Sequence, residues 1–149
     1  MPAENTRFDN LLTPALLLDE AKMMRNIERL EARAQRLGVT LRPHLKTAKS
    51  TEIARRLSGG GVGPITVSTL AEAEAFHAAG FTDILYAVGI APQKLTRVQA
   101  LRAKGCDLVV ILNGIEQAST VAQAGVPALI EIDSDGHRGG RRPDEPVLV

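Results

Sequence analysis

The chain has 149 residues, 44% of them hydrophobic and 23% charged, which suits one soluble globular domain with a real core. Eighteen basic and seventeen acidic residues leave a net charge of +1 with no dense Lys/Arg cluster, which excludes an electrostatic nucleic-acid binder. Aromatics at 3% offer no base-stacking platform, and no apolar run approaches the roughly 20 residues of a membrane span.

Residues 1–12 read as a polar lead-in without a signal-peptide apolar region, and residues 13–149 as the folded part. Thr13 to Leu18 predicts a short strand, with Pro14 at its start. Asp19 is a candidate N-cap for a helix whose Met23, Ile27, Leu30, Ala34 and Leu37 form one apolar stripe, and Gly38 ends it. Leu41 to Lys46 predicts a strand and Lys49 to Leu57 a helix. Gly59-Gly60-Gly61-Val62-Gly63 lies between a helix and the next strand. Phosphate-binding loops have the opposite order, so this is a return loop. Pro64 to Ser68 is the next strand, and Thr69 with Glu72 makes a capping box for the helix carrying Leu70, Ala73 and Phe76. A strand at Ile84 to Val88 follows, then a helix that begins near Pro92 and presents Leu95, Val98 and Leu101. A strand at 108–112, a helix capped by Asn113 and a last strand at Ala128 to Asp133 complete the pattern. The single Cys106 forbids an internal disulfide, points to a reducing, cytoplasmic setting and reads as core filler.

Strand and helix alternate five times from Leu41 onward, which predicts a parallel sheet with right-handed crossovers. A doubly wound sheet makes both faces of its central strands apolar, whereas a barrel keeps its helices outside and tolerates polar groups within. Arg42, His44 and Lys46 share one strand face, opposite Leu41 and Leu45. Glu131 and Asp133 share one face of the last strand, where they could neutralise the basic face across the interior. The expectation is therefore an α/β fold: a partial (β/α)8 barrel of about five parallel strands with helices on one face.

Chemistry in such folds collects at the C-terminal ends of the strands. Lys46 stands there, and a Lys desolvated at a strand end has the properties of a Schiff-base nucleophile. A solvated basic edge strand is the alternative. Ser68, Thr69 and Asn113 also lie at strand ends, where capping is the stronger reading. Tyr86 could face either the interior or the helices. The loop Ser134 to Gly140 carries His137, read as exposed, and Arg138, bracketed by Gly136, Gly139 and Gly140. That Arg could donate to an anionic oxygen.

Arg-Pro-His-Leu-Lys-Thr at 42–47 and Glu-Ile-Asp-Ser-Asp-Gly-His-Arg-Gly-Gly at 131–140 resemble the D-threonine aldolase and D-serine dehydratase-like enzymes. These belong to the alanine racemase-type, fold type III group that uses pyridoxal 5′-phosphate (PLP). Thr-Pro-Ala-Leu-Leu-Leu-Asp at 13–19 is similar to the opening of that group. The resemblance implies that Lys46 is catalytic and holds PLP as an internal aldimine. It implies that Arg138 lies beside the phenolic oxygen, and His44 joins them as a cofactor-binding candidate. Ala48 departs from the pattern, which usually has His there.

The implied activity is a PLP-dependent lyase acting on D-amino acids. It would cleave D-β-hydroxy amino acids as an aldolase, or eliminate water in the manner of D-serine dehydratase. Racemisation on the same fold and non-catalytic PLP carriage are the alternatives. A complete barrel needs about 250 residues, so the expectation is the N-terminal part of a longer, homodimeric enzyme with a further C-terminal β domain. The isolated 149-residue chain is expected to be inactive. No metal ligands are expected in this stretch; a divalent metal in the full-length enzyme would take its ligands from elsewhere.

Overall fold

The computed structural model describes residue 8, residues 11–137 and residues 139–145, and the chain divides into two units, residues 1–40 and 41–149. In the first unit, helix α1 spans Glu20–Leu37. The Asp19 carboxylate accepts from the Lys22 amide at 2.9 Å, and Gly38, at φ 63°, closes the helix. Ile27 and Ala34 of the expected stripe are buried, but Leu30 and Leu37 are exposed. The strand expected at 13–18 does not form. Those residues pair with no strand among the described residues, and without a ladder partner an apolar run stays irregular.

The second unit contains α2 (Thr51–Arg56), β1 (Ile65–Val67), α3 (Leu70–Ala78), β2 (Asp83–Gly89), α4 (Leu95–Arg102), β3 (Asp107–Leu112), α5 (Ile115–Gln123) and β4 (Ala128–Ile130). The four strands form one parallel sheet in sequence order. Ile65, Ile84 and Leu108 stand in register, as do Val67, Tyr86 and Val110. Both rows face the helices. They share one core with Ala54 of α2, Leu70, Ala73 and Phe76 of α3, Leu95, Val98 and Leu101 of α4, and Val121 of α5. The opposite face carries Thr66, Leu85, Val109 and Ile111. Helices on one face, strands in sequence order and a polar residue on the open side match a barrel wall rather than a doubly wound sheet.

The expected first strand contributes one parallel bridge, His44 to Thr66. The Leu45 amide donates to Thr66 O at 2.9 Å and the Thr66 amide to Pro43 O at 2.8 Å. Leu45 is buried in the helix-side core, so His44 projects from the open face. Pairing ends there because the Lys49 amide turns back to Leu45 O at 2.8 Å. Lys49 takes φ 46°, which is incompatible with helix, so α2 begins two residues later than expected, capped by Ser50. The glycines after α2 form the expected return turn.

Three further expectations change in detail. The last strand stops at Ile130, and beyond it, among the described residues, Ile132 bridges to Arg141. Gly114, not Asn113, is the N-cap of α5, and the Gln117 side chain accepts from the Asn113 amide at 3.0 Å. Arg42 finds its carboxylate in Asp83, at 2.7 and 3.0 Å, rather than in Glu131 or Asp133 across the interior. Its guanidinium also donates to Ile65 O and Asp83 O at 3.4 Å, which ties the entry of this segment to the start of β2. Both side chains are partly exposed. Arg42→Ala should therefore cost only about 1 kcal/mol by urea unfolding and leave any cofactor retention intact. Loss of cofactor in that variant would make Arg42 part of the site.

Candidate functional site

The turn 45–49 sits at the C-terminal end of the sheet, next to the exit of β1. His44 stands at its root. Its Nδ1 accepts from the Lys46 amide at 3.3 Å, and its Nε2 meets Ser68 Oγ at 3.3 Å. A backbone amide can only donate, so Nδ1 carries no proton in this arrangement. The neutral ring is thereby the Nε2–H tautomer, donating to Ser68 Oγ. Partial desolvation, then the Lys46 ammonium, push the His44 pKa below its ordinary 6.5, against a smaller opposite pull from Glu72.

Glu72, in the first turn of α3, is buried at 9% exposure. One carboxylate oxygen accepts from the Ser68 amide at 2.8 Å and the Thr69 amide at 3.3 Å, while the Thr69 hydroxyl accepts from the Glu72 amide at 3.1 Å. This is the expected capping box. The other oxygen lies 3.3 Å from Lys49 Nζ. Desolvation pushes the Glu72 carboxyl up, but the Ser68 amide, Lys49 and the Thr69 amide outweigh it and hold the pKa below the ordinary carboxylate value. Lys49 is thus largely exposed, with its ammonium paired to Glu72.

Lys46 itself is exposed on the turn. The structure brings Lys46, His44 and Ser68 together and adds Lys49 and Glu72, which the motif alone does not place there. Tyr86 belongs elsewhere: fully buried on the helix side, it accepts from Lys94 Nζ at 2.8 Å. Cys106 is core filler, as expected, its thiol pushed up to about 11, by burial first. Arg138 lies outside the described residues. Its loop is clasped at both ends: the Arg141 amide donates to Glu131 O and the Asp133 amide to Arg141 O, each at 2.8 Å. Within it, Asp133 Oδ1 accepts from the Gly136 amide at 3.0 Å, and His137 is exposed. Among the described residues no group of three or more His, Cys, Asp or Glu could hold a metal, and no helix is long and apolar enough to cross a membrane.

The donor set suits an aldehyde-bearing cofactor better than an inert surface. A primary amine stands exposed on a turn whose Leu45, Lys46 and Lys49 amides are all held. The His44 contacts also carry a pH dependence. Folding favours the neutral ring, so the unfolded chain binds more protons between the lowered pKa and 6.5. Stability should rise with pH across that window and fall on acidification through it, as the Nδ1 proton displaces the Lys46 amide. Amide exchange at Lys46 between pH 7 and 5, set against a His44→Gln variant, measures this; identical pH slopes in the two proteins would sink it.

A barrel-wall sheet with a lysine-bearing turn on the first βα unit defines a class. The chain belongs to the family of the alanine racemase N-terminal domain, whose model matches residues 18–148. D-threo-3-hydroxyaspartate dehydratase of Delftia sp. (strain HT23) is 46% identical over 150 residues, covering 95% of this chain and 40% of that protein. Its solved structure superposes with a TM-score of 0.89, covering 93% of this chain and 38% of that one. D-serine dehydratase of Dictyostelium discoideum is 32% identical, over 96% of this chain and 40% of that protein. The structure of D-threonine aldolase from Filomicrobium marinum superposes with a TM-score of 0.77 at 31% identity, over 93% of this chain and 39% of that one. The chain thus spans about 40% of the length of the curated relatives it matches.

Proposed function

We propose that this chain contributes the lysine-bearing half of the site of a PLP-dependent lyase acting on D-β-hydroxy amino acids. The observation that carries it is Lys46: a free amine at the C-terminal end of the sheet, on a turn held through His44 and closed back on Leu45. Lys46 would hold the cofactor covalently, Arg138 would face its phenolic oxygen, and His44 would line the near side. When bound, PLP supplies an electron sink for the pair released at Cα of the substrate. The chain's own work is positional. The turn at the C-terminal end of the sheet presents Lys46, and buried Leu45 roots that turn in the helix-side core. The neutral His44 offers no second charge beside the amine. The same reading carries a cytoplasmic homodimer, the compartment resting on the lone, buried Cys106.

Elimination of water is the leading reaction, because the 46% identical relative is named as a dehydratase of a 3-hydroxy D-amino acid. Aldol cleavage is the second reading, favoured by the D-threonine aldolase of Arthrobacter sp., 36% identical over 92% of this chain. Incubating the purified full-length protein that carries this chain, together with PLP, with D-threo-3-hydroxyaspartate, D-serine and D-threonine separates them. Ammonia and a 2-oxo acid mark elimination; glycine and an aldehyde mark cleavage. A protein that retains PLP and consumes none of the three, nor yields either product set, would overturn the lyase reading.

A further inference from the structure

Lys46 owes its place to a side chain that never touches it. The turn 45–49 has two ends. At the first, the Lys46 amide is held by His44 Nδ1, and the ring's other nitrogen is held by Ser68 Oγ. At the second, Lys49 is folded into φ 46° with its ammonium 3.3 Å from Glu72. Ser68 is itself fixed, because its amide donates to the opposite oxygen of the same carboxylate at 2.8 Å. Both ends of the turn therefore converge on Glu72, buried and seated on a rigid helix start. A capping box alone requires an oxygen at this position, not a charge, and Gln serves in its place. The negative charge, partly removed from water, finds its counter-charge only by drawing Lys49 back toward α3.

We propose that Glu72 is a positioning residue for Lys46: its two oxygens anchor the Ser68–His44 pair and Lys49, and so fix the turn that presents the Lys46 amine. The inference deepens the assignment of Lys46 as the PLP-bearing residue and rests on it. Holding a reactive group on a braced turn spares the ordering cost at the moment of attachment, which is how supporting residues act on a site without contacting the ligand. It also gives Lys49 a role other than that of a spare amine.

The test separates bracing from capping. In the purified protein, PLP is titrated, trapped on lysine with borohydride, and its occupancy on the Lys46 peptide read by mass. Glu72→Gln keeps an acceptor for the Ser68 and Thr69 amides but loses the charge that holds Lys49. Ser68→Ala leaves the capping box intact but frees the His44 ring. Thr69→Ala weakens the cap and leaves the braces. Glu72→Gln and Ser68→Ala should each weaken PLP attachment about tenfold, the scale of one lost hydrogen bond or ion pair in a preorganised site, and Thr69→Ala should change it less than twofold while lowering the melting temperature. The ¹⁵N signals of His44 add a readout that stability does not move: one neutral tautomer, Nε2–H, in the parent protein, and a mixture in Ser68→Ala. Equal affinity in the parent, Glu72→Gln and Ser68→Ala proteins, or a loss in Thr69→Ala as large as in Glu72→Gln, overturns the positioning role. Absence of label on Lys46 in the parent protein would instead remove the assignment on which it rests.

Discussion

In the full-length protein that carries this chain, Lys46→Ala should abolish both covalent PLP retention and turnover, while Lys49→Ala should keep the cofactor on Lys46. The two lysines are three residues apart and share a turn, yet their surroundings differ in kind. Lys49 has its ammonium committed to Glu72, whose carboxylate is buried. Lys46 is exposed, and among the described residues nothing pairs with its ammonium, while its amide is held by His44. The free amine is the one able to attack an aldehyde. Lys49→Ala is expected to weaken attachment several-fold, through the loosened turn, without moving it. Label appearing on Lys49 or on another lysine in the Lys46→Ala protein, with activity retained, would place the covalent link elsewhere.

The fold was legible where pattern and capping agreed. Apolar strands alternating with Gly-terminated helices specify four parallel strands in order, and the Thr69/Glu72 spacing gives the start of α3. The register of the 41–46 segment was legible too, since Leu45 goes to the core and His44 to the open face. Its extent was not. Whether a run of alternating residues becomes a strand depends on how far its neighbour extends, and β1 ends at Val67, one residue past the bridge. The electrostatic partners were equally hidden. Arg42 was matched in the sequence to acids on the last strand. In the fold the acid it meets is Asp83, at the start of β2, one strand beyond its neighbour β1 and at the same end of the sheet. Lys49 and Glu72 are twenty-three positions apart and carry no joint signal beyond the capping box. That box could have pointed to them: it puts a carboxylate beside the exit of β1, where the lysine-bearing turn must also lie.

Gly140→Ala should be among the most damaging single changes outside the core, lowering the melting temperature by about 5–10 °C and reducing PLP retention with it. Gly140 has φ 113°, a region that side-chain-bearing residues scarcely enter. A Cβ there would lie 2.7 Å from Glu131 O, 2.9 Å from its carbonyl carbon and 3.0 Å from the Asp133 amide nitrogen. All three are backbone atoms, and two of them belong to the hydrogen bonds that join 131–133 to Arg141. The clash cannot be relieved by turning a side chain; it must open that bridge or push the loop outward. Strained backbone and two lost hydrogen bonds together cost about 2–4 kcal/mol. The loop so displaced is the one that carries Arg138, the proposed partner of the cofactor's phenolic oxygen. Gly136→Ala is the matched control. It also has a positive φ, 74°, but nothing within 4 Å of an added Cβ, so its cost is limited to the backbone, about 1 kcal/mol. Thermal unfolding of the two variants beside the parent decides the point: a Gly140→Ala protein no less stable than Gly136→Ala would show that the 131–141 clasp does not hold the loop.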